Sequence, residues 1–465
     1  MKLLKHWTPN TYFIISSIIV IVAILSWFIP AGEYDRQLID GKNVVVNNSF
    51  HYVESNPQSI PDVFMAPIKG FVEAALIIGF VLFVGGIFGI LQKTQAVDSV
   101  IKSIAKAHHK SKVVKKMLIP IFMIIFSLGG AAFGMSEEII PFILIFVPMA
   151  LALGYDSITG VAIPFVGAGV GFAGAFLNPF TIGIAQGIAD VPLFSGMEYR
   201  LIVWVIVTLI AILFVSRYAK KIKANPELSI TYKKDSEKRE HLNLDDIINF
   251  NGMDLRHKVV MAAFITGLVV LAWGVLNYGW FIEELAAVFM ITGLVIAFVG
   301  RLTIEETSNA FVNGAKDLVG TALIIAFARG ILIVSVEGRI IDTILYSLSS
   351  VVNEFHPIVA SQTMFVVQSF MNFFVPSGSG QAALTMPIMA PLGDLVGVSR
   401  QTTVLAFQFG DGFTNMIIPT SAVTMGVLAL ADIPWQKWAK WILPLQIILL
   451  LIGLLLLIPP FFMNW

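Results

Sequence analysis

The chain has 465 residues, of which 57% are hydrophobic and only 13% charged, and its mean hydropathy is +0.84. Soluble domains carry about 25% charged residues, so a water-soluble enzyme is excluded. Thirty Lys plus Arg balance thirty Asp plus Glu, which leaves no net field to attract nucleic acid, and the lack of cysteine removes disulfides, thiolate metal sites and cysteine nucleophiles together.

About 20 apolar residues cross a bilayer, and such runs extend from Tyr12 to Met463. The first, Tyr12–Ile29, follows Lys2, Lys5 and His6 and ends in Trp27-Phe28-Ile29-Pro30. A signal peptide has an apolar region of about 7 to 15 residues and a small-residue cleavage site, so a retained first helix is expected. Further runs cover Phe71–Leu91, Met117–Leu128, Ile139–Leu153, Ile158–Ile188, Leu201–Val215, Val259–Leu276, Leu285–Val299, Leu318–Val336, Ile358–Val375, Ala382–Val396, Thr402–Leu430 and Trp441–Leu457.

Two pairs of short runs are joined by segments unlike surface loops: Gly129-Gly130-Ala131-Ala132-Phe133-Gly134-Met135-Ser136-Glu137-Glu138, and Pro376-Ser377-Gly378-Ser379-Gly380-Gln381. Irregular backbone at membrane depth survives only inside protein or beside water. Both pairs are therefore expected as re-entrant hairpins, over about 117–153 and 358–396. With nine crossings and two hairpins, 23 of the 30 basic residues fall on the side of the N-terminus. The positive-inside rule makes that side cytoplasmic and the C-terminus external. Arg36, Lys42, Lys69, Arg200, Arg339 and Arg400 fall outside, and Arg329 lies within a span.

Sliding the chain on itself by 243 residues gives 8 identities in 34 positions, among them Ser136 with Ser379, Pro148 with Pro391, Gly167 with Gly410 and Gly169 with Gly412. The first hairpin opens to the cytoplasm and the second to the outside, so the repeats are inverted, an architecture of secondary transporters. The expected fold is an all-α polytopic membrane protein of two inverted repeats, each with a re-entrant helical hairpin and a broken transmembrane helix. The first repeat spans residues 1–217, a charged cytoplasmic connector 218–258, and an extra helix plus the second repeat 259–465, with broken helices over about 157–190 and 402–430.

Trp7-Thr8-Pro9, Ile29-Pro30-Ala31-Gly32-Glu33-Tyr34-Asp35-Arg36, Gly134-Met135-Ser136-Glu137-Glu138, Leu177-Asn178-Pro179-Phe180 and Pro376-Ser377-Gly378-Ser379-Gly380-Gln381 resemble the YfcC-like branch of the C4-dicarboxylate anaerobic carrier family. That family belongs to the ion transporter superfamily, and the resemblance covers essentially the whole chain. It implies secondary transport by a scaffold domain and a mobile domain with opposed hairpins, and a homodimer. The family name points to dicarboxylates, while related branches are assigned arginine and ornithine exchange.

A charge at the bilayer centre costs about 2.5 to 3.5 kcal/mol, so the few intramembrane ionisable residues are site candidates. Glu137 and Glu138 sit at the first tip beside Ser136; adjacent residues point to different sides, so one faces a substrate while the other caps or pairs. Asp411, between Gly410 and Gly412, takes the position of Ala168 in the first repeat and is the best acidic candidate. Thr414, Asn415, Pro419, Thr420 and Ser421 follow it, and Asn178, Thr181 and Gln186 stand in the first repeat. Their oxygens and amides suit a small polar solute or Na+ near Asp411, although interhelical hydrogen bonding is the plainer role for about half of them. Ser377, Gly378, Ser379 and Gln381 crowd the second tip, where helix N-termini can receive a carboxylate. Arg329, the lone intramembrane cation, receives a substrate carboxylate or pairs with Asp411 or Glu137, and the pairing is favoured. Glu73 sits early in its span, near the interface.

The seven histidines lie outside or at the margins of spans, so any proton coupling falls to carboxylates. Gly169-Val170-Gly171-Phe172-Ala173-Gly174 matches the dinucleotide pattern by accident, with no preceding strand. No nucleotide motif is present, so an ion gradient or exchange must drive transport. The expected function is secondary active exchange of a small polar metabolite by alternating access across the cytoplasmic membrane, most of all a basic amino acid of the arginine/ornithine type. A Na+- or H+-coupled C4-dicarboxylate carrier is the alternative. A channel or an intramembrane enzyme fits less well, because no nucleophile with a general base is evident. No cofactor, metal centre or nucleic-acid partner is expected; substrate, membrane lipid and Na+ or H+ are.

Overall fold

The computed structural model describes residues 11–39, 42–240, 250, 252–352, 355–463 and 465. Trp7-Thr8-Pro9 and the connector residues 241–249 lie outside them. The helices run α1 Thr11–Leu25, α2 Ile60–Glu73, α3 Ala75–Lys93, α4 Ala96–Lys110, α5 Lys112–Phe133, α6 Ile143–Ala152, α7 Ser157–Ala173, α8 Ile184–Ile188, α9 Met197–Ala224 and α10 Tyr232–Glu240. They continue as α11 Leu255–Tyr278, α12 Ile282–Val299, α13 Ile304–Asp317, α14 Val319–Glu337, α15 Ile341–Val352, α16 Pro357–Phe374, α17 Gly378–Val396, α18 Arg400–Thr414, α19 Ala422–Leu430 and α20 Trp435–Leu456. Seven helical segments among the described residues are long and apolar enough to cross a membrane: α3, α5, α9, α11, α12, α14 and Trp435–Phe462.

Local chemistry sets many of these boundaries. Ser111, Asp156, Asp254, Thr303 and Ser399 accept a backbone N–H at the starts of α5, α7, α11, α13 and α18, relieving donors that a helix start leaves unpaired. Gly134, Gly279 and Gly397 end α5, α11 and α17 in the left-handed region, where a side chain is strained.

The structure departs from the apolar runs in instructive places. Helix α5 is 22 residues long, longer than the run Met117–Leu128, because the helix takes in Lys112–Lys116 and the small residues up to Phe133. Helices α2, α4 and α13 have mixed polar and apolar faces, which a search for apolar runs passes over. Between α1 and α2 the chain forms a strap of short antiparallel pairs: β1 Gly32–Glu33 with β4 His51–Tyr52, and β2 Arg36–Ile39 with β3 Lys42–Val45.

The expected long spans at 158–188 and 402–430 are each interrupted. After α7 the chain leaves the helix and resumes in a wide π-helical turn, Pro179–Gly183, before α8. After α18 it runs irregularly to α19. Asn178 and Ser421 cap the resumptions, accepting from the N–H groups of Phe180 and Thr424.

One succession of lengths occurs twice. Helices of 14 and 19 residues, separated by a single residue, form α2–α3, and the same pair recurs 244 residues later as α13–α14. Helix α2 packs on α14 and α13 on α3, so corresponding helices meet each other's partners. Glycines bring the backbones together: a Cβ on Gly70 would lie 2.4 Å from the Ala326 carbonyl, and one on Gly314 2.3 Å from the Gly85 carbonyl. Helix α5 packs on α7 and α16 on α18.

Candidate functional site

The two interrupted helices pack against each other. Gly412 of α18 abuts Ala173 of α7, Gly169 abuts Met416, and Gln408 Nε2 donates to the Phe172 carbonyl at 2.6 Å. Four N-terminal starts gather here: the 3-10 turn Glu137–Phe142, the turn at Pro179, α17 at Gly378 and α19 at Ala422. The packing is crossed. The 3-10 turn lies on α19, with Ile140 against Gly426, while α17 lies on the π-helical turn. Gly134, φ +73°, sits against the Asn178 side chain. Each helix start carries a partial positive charge from its unpaired N–H groups, so the centre favours an anionic group.

Asp411 is fully buried in this setting. Its Oδ1 accepts from Asn415 Nδ2 at 2.9 Å, whereas Oδ2 has no hydrogen-bond donor. A Cβ on Gly378 would lie 2.8 Å from that oxygen and 2.4 Å from Thr181 Cγ2, so the start of α17 lies directly against the carboxylate. Thr181 Oγ1, Thr420 Oγ1 and Asn178 Nδ2 are likewise buried and unpartnered. A buried polar atom without a partner costs about 1 to 3 kcal/mol, and such atoms in a native site call for a ligand or water. We expect Gly378→Ala to slow transport at least tenfold with the protein still monodisperse, because the added methyl wedges the tip off Thr181 and Asp411. Undiminished uptake would show that the tip tolerates displacement.

Glu138 Oε2 accepts from the Ser136 backbone N–H at 2.9 Å and so holds the first tip in shape. Glu137 is within Coulombic range of both Asp411 and Arg329 and, like Ser136, is half-buried. Arg329 pairs with neither Asp411 nor Glu137: its guanidinium meets Glu73 Oε1 at 2.8 Å. The reason is packing. Helix α2 lies along α14 at Gly70 and Gly330, which brings Glu73 alongside Arg329. Glu73 is expected near the interface from its place in its own run; its pairing with Arg329 arises across the α2–α14 seam.

At the second tip, Ser377 Oγ accepts the Gly380 N–H, and Ser379 and Gly380 line a cavity of about 630 Å³. Gln381 turns away, donating through Nε2 to the Gln368 carbonyl and Oε1 at 2.9 and 2.7 Å. Ser421 serves as a cap, and Gln186 is absorbed by Ser195, Gln401 and the Phe194 N–H. Asn372 was missed. Its Nδ2 donates to the Asp411 carbonyl, Thr414 Oγ1 and Asn415 Oδ1 at 3.0, 2.7 and 2.9 Å, tying α16 to the end of α18. The run also holds Gln362 and Gln368, so Asn372 is one of three amides among its apolar residues.

The cavity runs from the second tip past Arg329 and Glu73 to the strap. At its mouth Arg36 meets Asp342 through two 2.8 Å hydrogen bonds, and Arg339 meets Glu33 at 3.2 Å. The Gly32 N–H donates to the Arg339 carbonyl and the Tyr34 N–H to Asp342. Burial and the nearby Asp342 carboxylate push the Tyr34 phenol well up from its ordinary value, so it remains neutral. No group of three or more His, Asp or Glu able to hold a metal ion occurs among the described residues.

Residues 8–461 match the family described as C4-dicarboxylate anaerobic carrier. The chain is 37% identical to YfcC of Escherichia coli, whose name assigns it provisionally to basic amino acid antiport, over 94% of this chain and 93% of that protein. It is 31% identical to an uncharacterised Haemophilus influenzae protein over 97% of this chain and 96% of that protein. Among solved structures it is similar to the YdaH transporter of Alcanivorax borkumensis, with a TM-score of 0.47 and 15% identity over 98% of this chain and 99% of that chain. The chain, a multi-pass membrane protein, belongs to the C4-dicarboxylate anaerobic carrier family, whose members are transporters and not enzymes.

Proposed function

We propose that the protein is a secondary active exchanger of a basic amino acid, of the arginine/ornithine type, working by alternating access. The observation that carries this reading is the Asp411 carboxylate, fully buried with Oδ2 lacking a donor beside four helix starts. A substrate with a carboxylate at one end and a cationic group at the other matches helix N-termini next to an acid. Arg329 is already answered by Glu73, and Glu138 is engaged by the tip backbone. The charge left for a ligand is that of Glu137 and Asp411, which favours a cation.

The recurrence of α2–α3 as α13–α14 supports a two-fold relation between inverted repeats, residues 1–217 and 259–465, with the hairpins re-entrant and the second tip acting as a door. In this reading the N-terminus is cytoplasmic, the C-terminus external, and the strap and cavity mouth face outward. Na+ near Asp411 and Thr181, or H+ carried by a carboxylate, and a homodimer complete the proposal. A second reading, a coupled C4-dicarboxylate carrier, draws on Arg36, Arg329 and Arg339 around one cavity.

Counterflow in proteoliposomes decides between them. Vesicles loaded with ornithine should take up labelled arginine at least tenfold faster than empty vesicles, with no requirement for a Na+ gradient. Uptake of labelled succinate driven by Na+, with arginine excluded, would overturn the first reading in favour of the second.

A further inference from the structure

A second cavity, of about 580 Å³, lies between α9 and α20 and shares no lining residue with the first. Along α9 it is lined by Ile210, Leu213, Phe214, Arg217, Tyr218 and Lys221. Their spacing of three and four places all of them on one helix face. The face changes character along its length, apolar at 210–214 and basic at 217 and 221. Helix α20 supplies Lys440 and Trp441 at the basic end and Ile448 at the apolar end, so both walls carry charge at the same end.

The eleven steps from Ile210 to Lys221 rise about 16 Å at 1.5 Å each, close to half of a hydrocarbon core of about 30 Å. The groove therefore has the length of one leaflet. Arg217, Lys221 and Lys440 are exposed, and no ion pair engages them among the described residues. The carboxylate nearest through contact is Asp156, whose Oδ2 already accepts from the Tyr218 and Ser229 hydroxyls at 2.6 and 2.7 Å. Trp441 is only 8% exposed, packs edge-on against Phe214 and Tyr218, and its indole N–H has no acceptor. Three unanswered cations and an unused donor above an apolar slot complement an anionic headgroup with a chain below it.

We infer that the α9–α20 groove binds an anionic phospholipid, its phosphate between Arg217, Lys221 and Lys440 and one acyl chain along Leu213 and Ile448. The site is independent of the transported substrate.

Native mass spectrometry of the full-length protein in detergent, offered equal phosphatidylglycerol and phosphatidylcholine, tests it. The wild type should retain phosphatidylglycerol at least fivefold over phosphatidylcholine, and R217Q/K221Q/K440Q should bring the ratio to one without a change in thermal unfolding in phosphatidylcholine micelles. Lys440→Gln alone and Trp441→Phe should each lower it two- to threefold, which keeps the test open if the triple variant is unstable. Glycerol 3-phosphate at millimolar concentration should not displace the lipid. An unchanged ratio in all variants overturns the proposal. So does full displacement by glycerol phosphate, which would make the groove a simple anion site, or a loss of dimer with lipid retention intact, which would make it an interface between two copies.

Discussion

Asp411→Asn is expected to lower exchange at least a hundredfold while leaving the protein folded. The two side chains have the same shape, and Asn415 Nδ2 can still donate to the remaining oxygen as it does to Oδ1 now. What changes is Oδ2, buried and without a donor, which becomes an amide N–H₂ that repels a cationic group. Breaking one side of a buried charge pair costs about 3 to 5 kcal/mol, and each 1.4 kcal/mol is a factor of ten, so about two to three and a half decades of affinity are at stake. Substrate binding to purified protein, measured alongside counterflow, separates loss of binding from loss of movement. A variant that exchanges within threefold of the wild type would remove Asp411 from the site.

The largest structural effect is expected at Gly171. A Cβ there would fall 2.0 Å from the Ser127 carbonyl oxygen, and on the facing helix a Cβ at Gly130 would fall 2.2 Å from the Ala168 carbonyl. Both obstacles are backbone, which cannot rotate aside, so α5 and α7 must separate; overpacking of this kind costs about 1 to 3 kcal/mol or more. Gly171→Ala should cut the folded, monodisperse yield several-fold. Gly320→Ala in α14, where nothing lies within 4 Å, should leave the yield unchanged or raise it, since Ala favours a helix over Gly by about 1 kcal/mol. Equal yields from the two variants, read by fluorescence-detected size exclusion, would show that the close crossing is not required.

This contrast also explains what was legible in the sequence. Gly169–Gly174 matches a nucleotide pattern only by accident, and the contacts of Gly171 and Gly174 with backbone on α5 and α9 are close helix packing. Broken helices are expected over about 157–190 and 402–430, and the chain leaves the helix there after α7, ahead of Asn178-Pro179, and after α18, ahead of Pro419. Hydrophobic periodicity reports which residues leave water and not which helix receives them. Arg329 was therefore identified as a cation needing a partner, but Glu73 as that partner depended on the α2–α14 seam. Asn372 escaped because three amides in one apolar run, Gln362, Gln368 and Asn372, do not say which of them meets the end of α18. The strap at Gly32–Tyr52 escaped for another reason: its strands are two to four residues long, shorter than any alternation can mark.

The exchange of partners between α2–α3 and α13–α14 bears on biogenesis. While the ribosome is still making the second half, α2 and α3 are already in or on the bilayer, yet the surfaces of Gly70, Gly85 and Gly89 that will meet α14 and α13 have only lipid to face. Neither half can complete its own seam. A nascent chain halted near residue 300 is thus an unfinished object with two bare glycine-lined seams, and translation pauses in the connector would lengthen its exposure to quality-control proteases. These two seams close only after α13 and α14 have been made, whereas α5, α6, α7 and α9 can pack on one another before then.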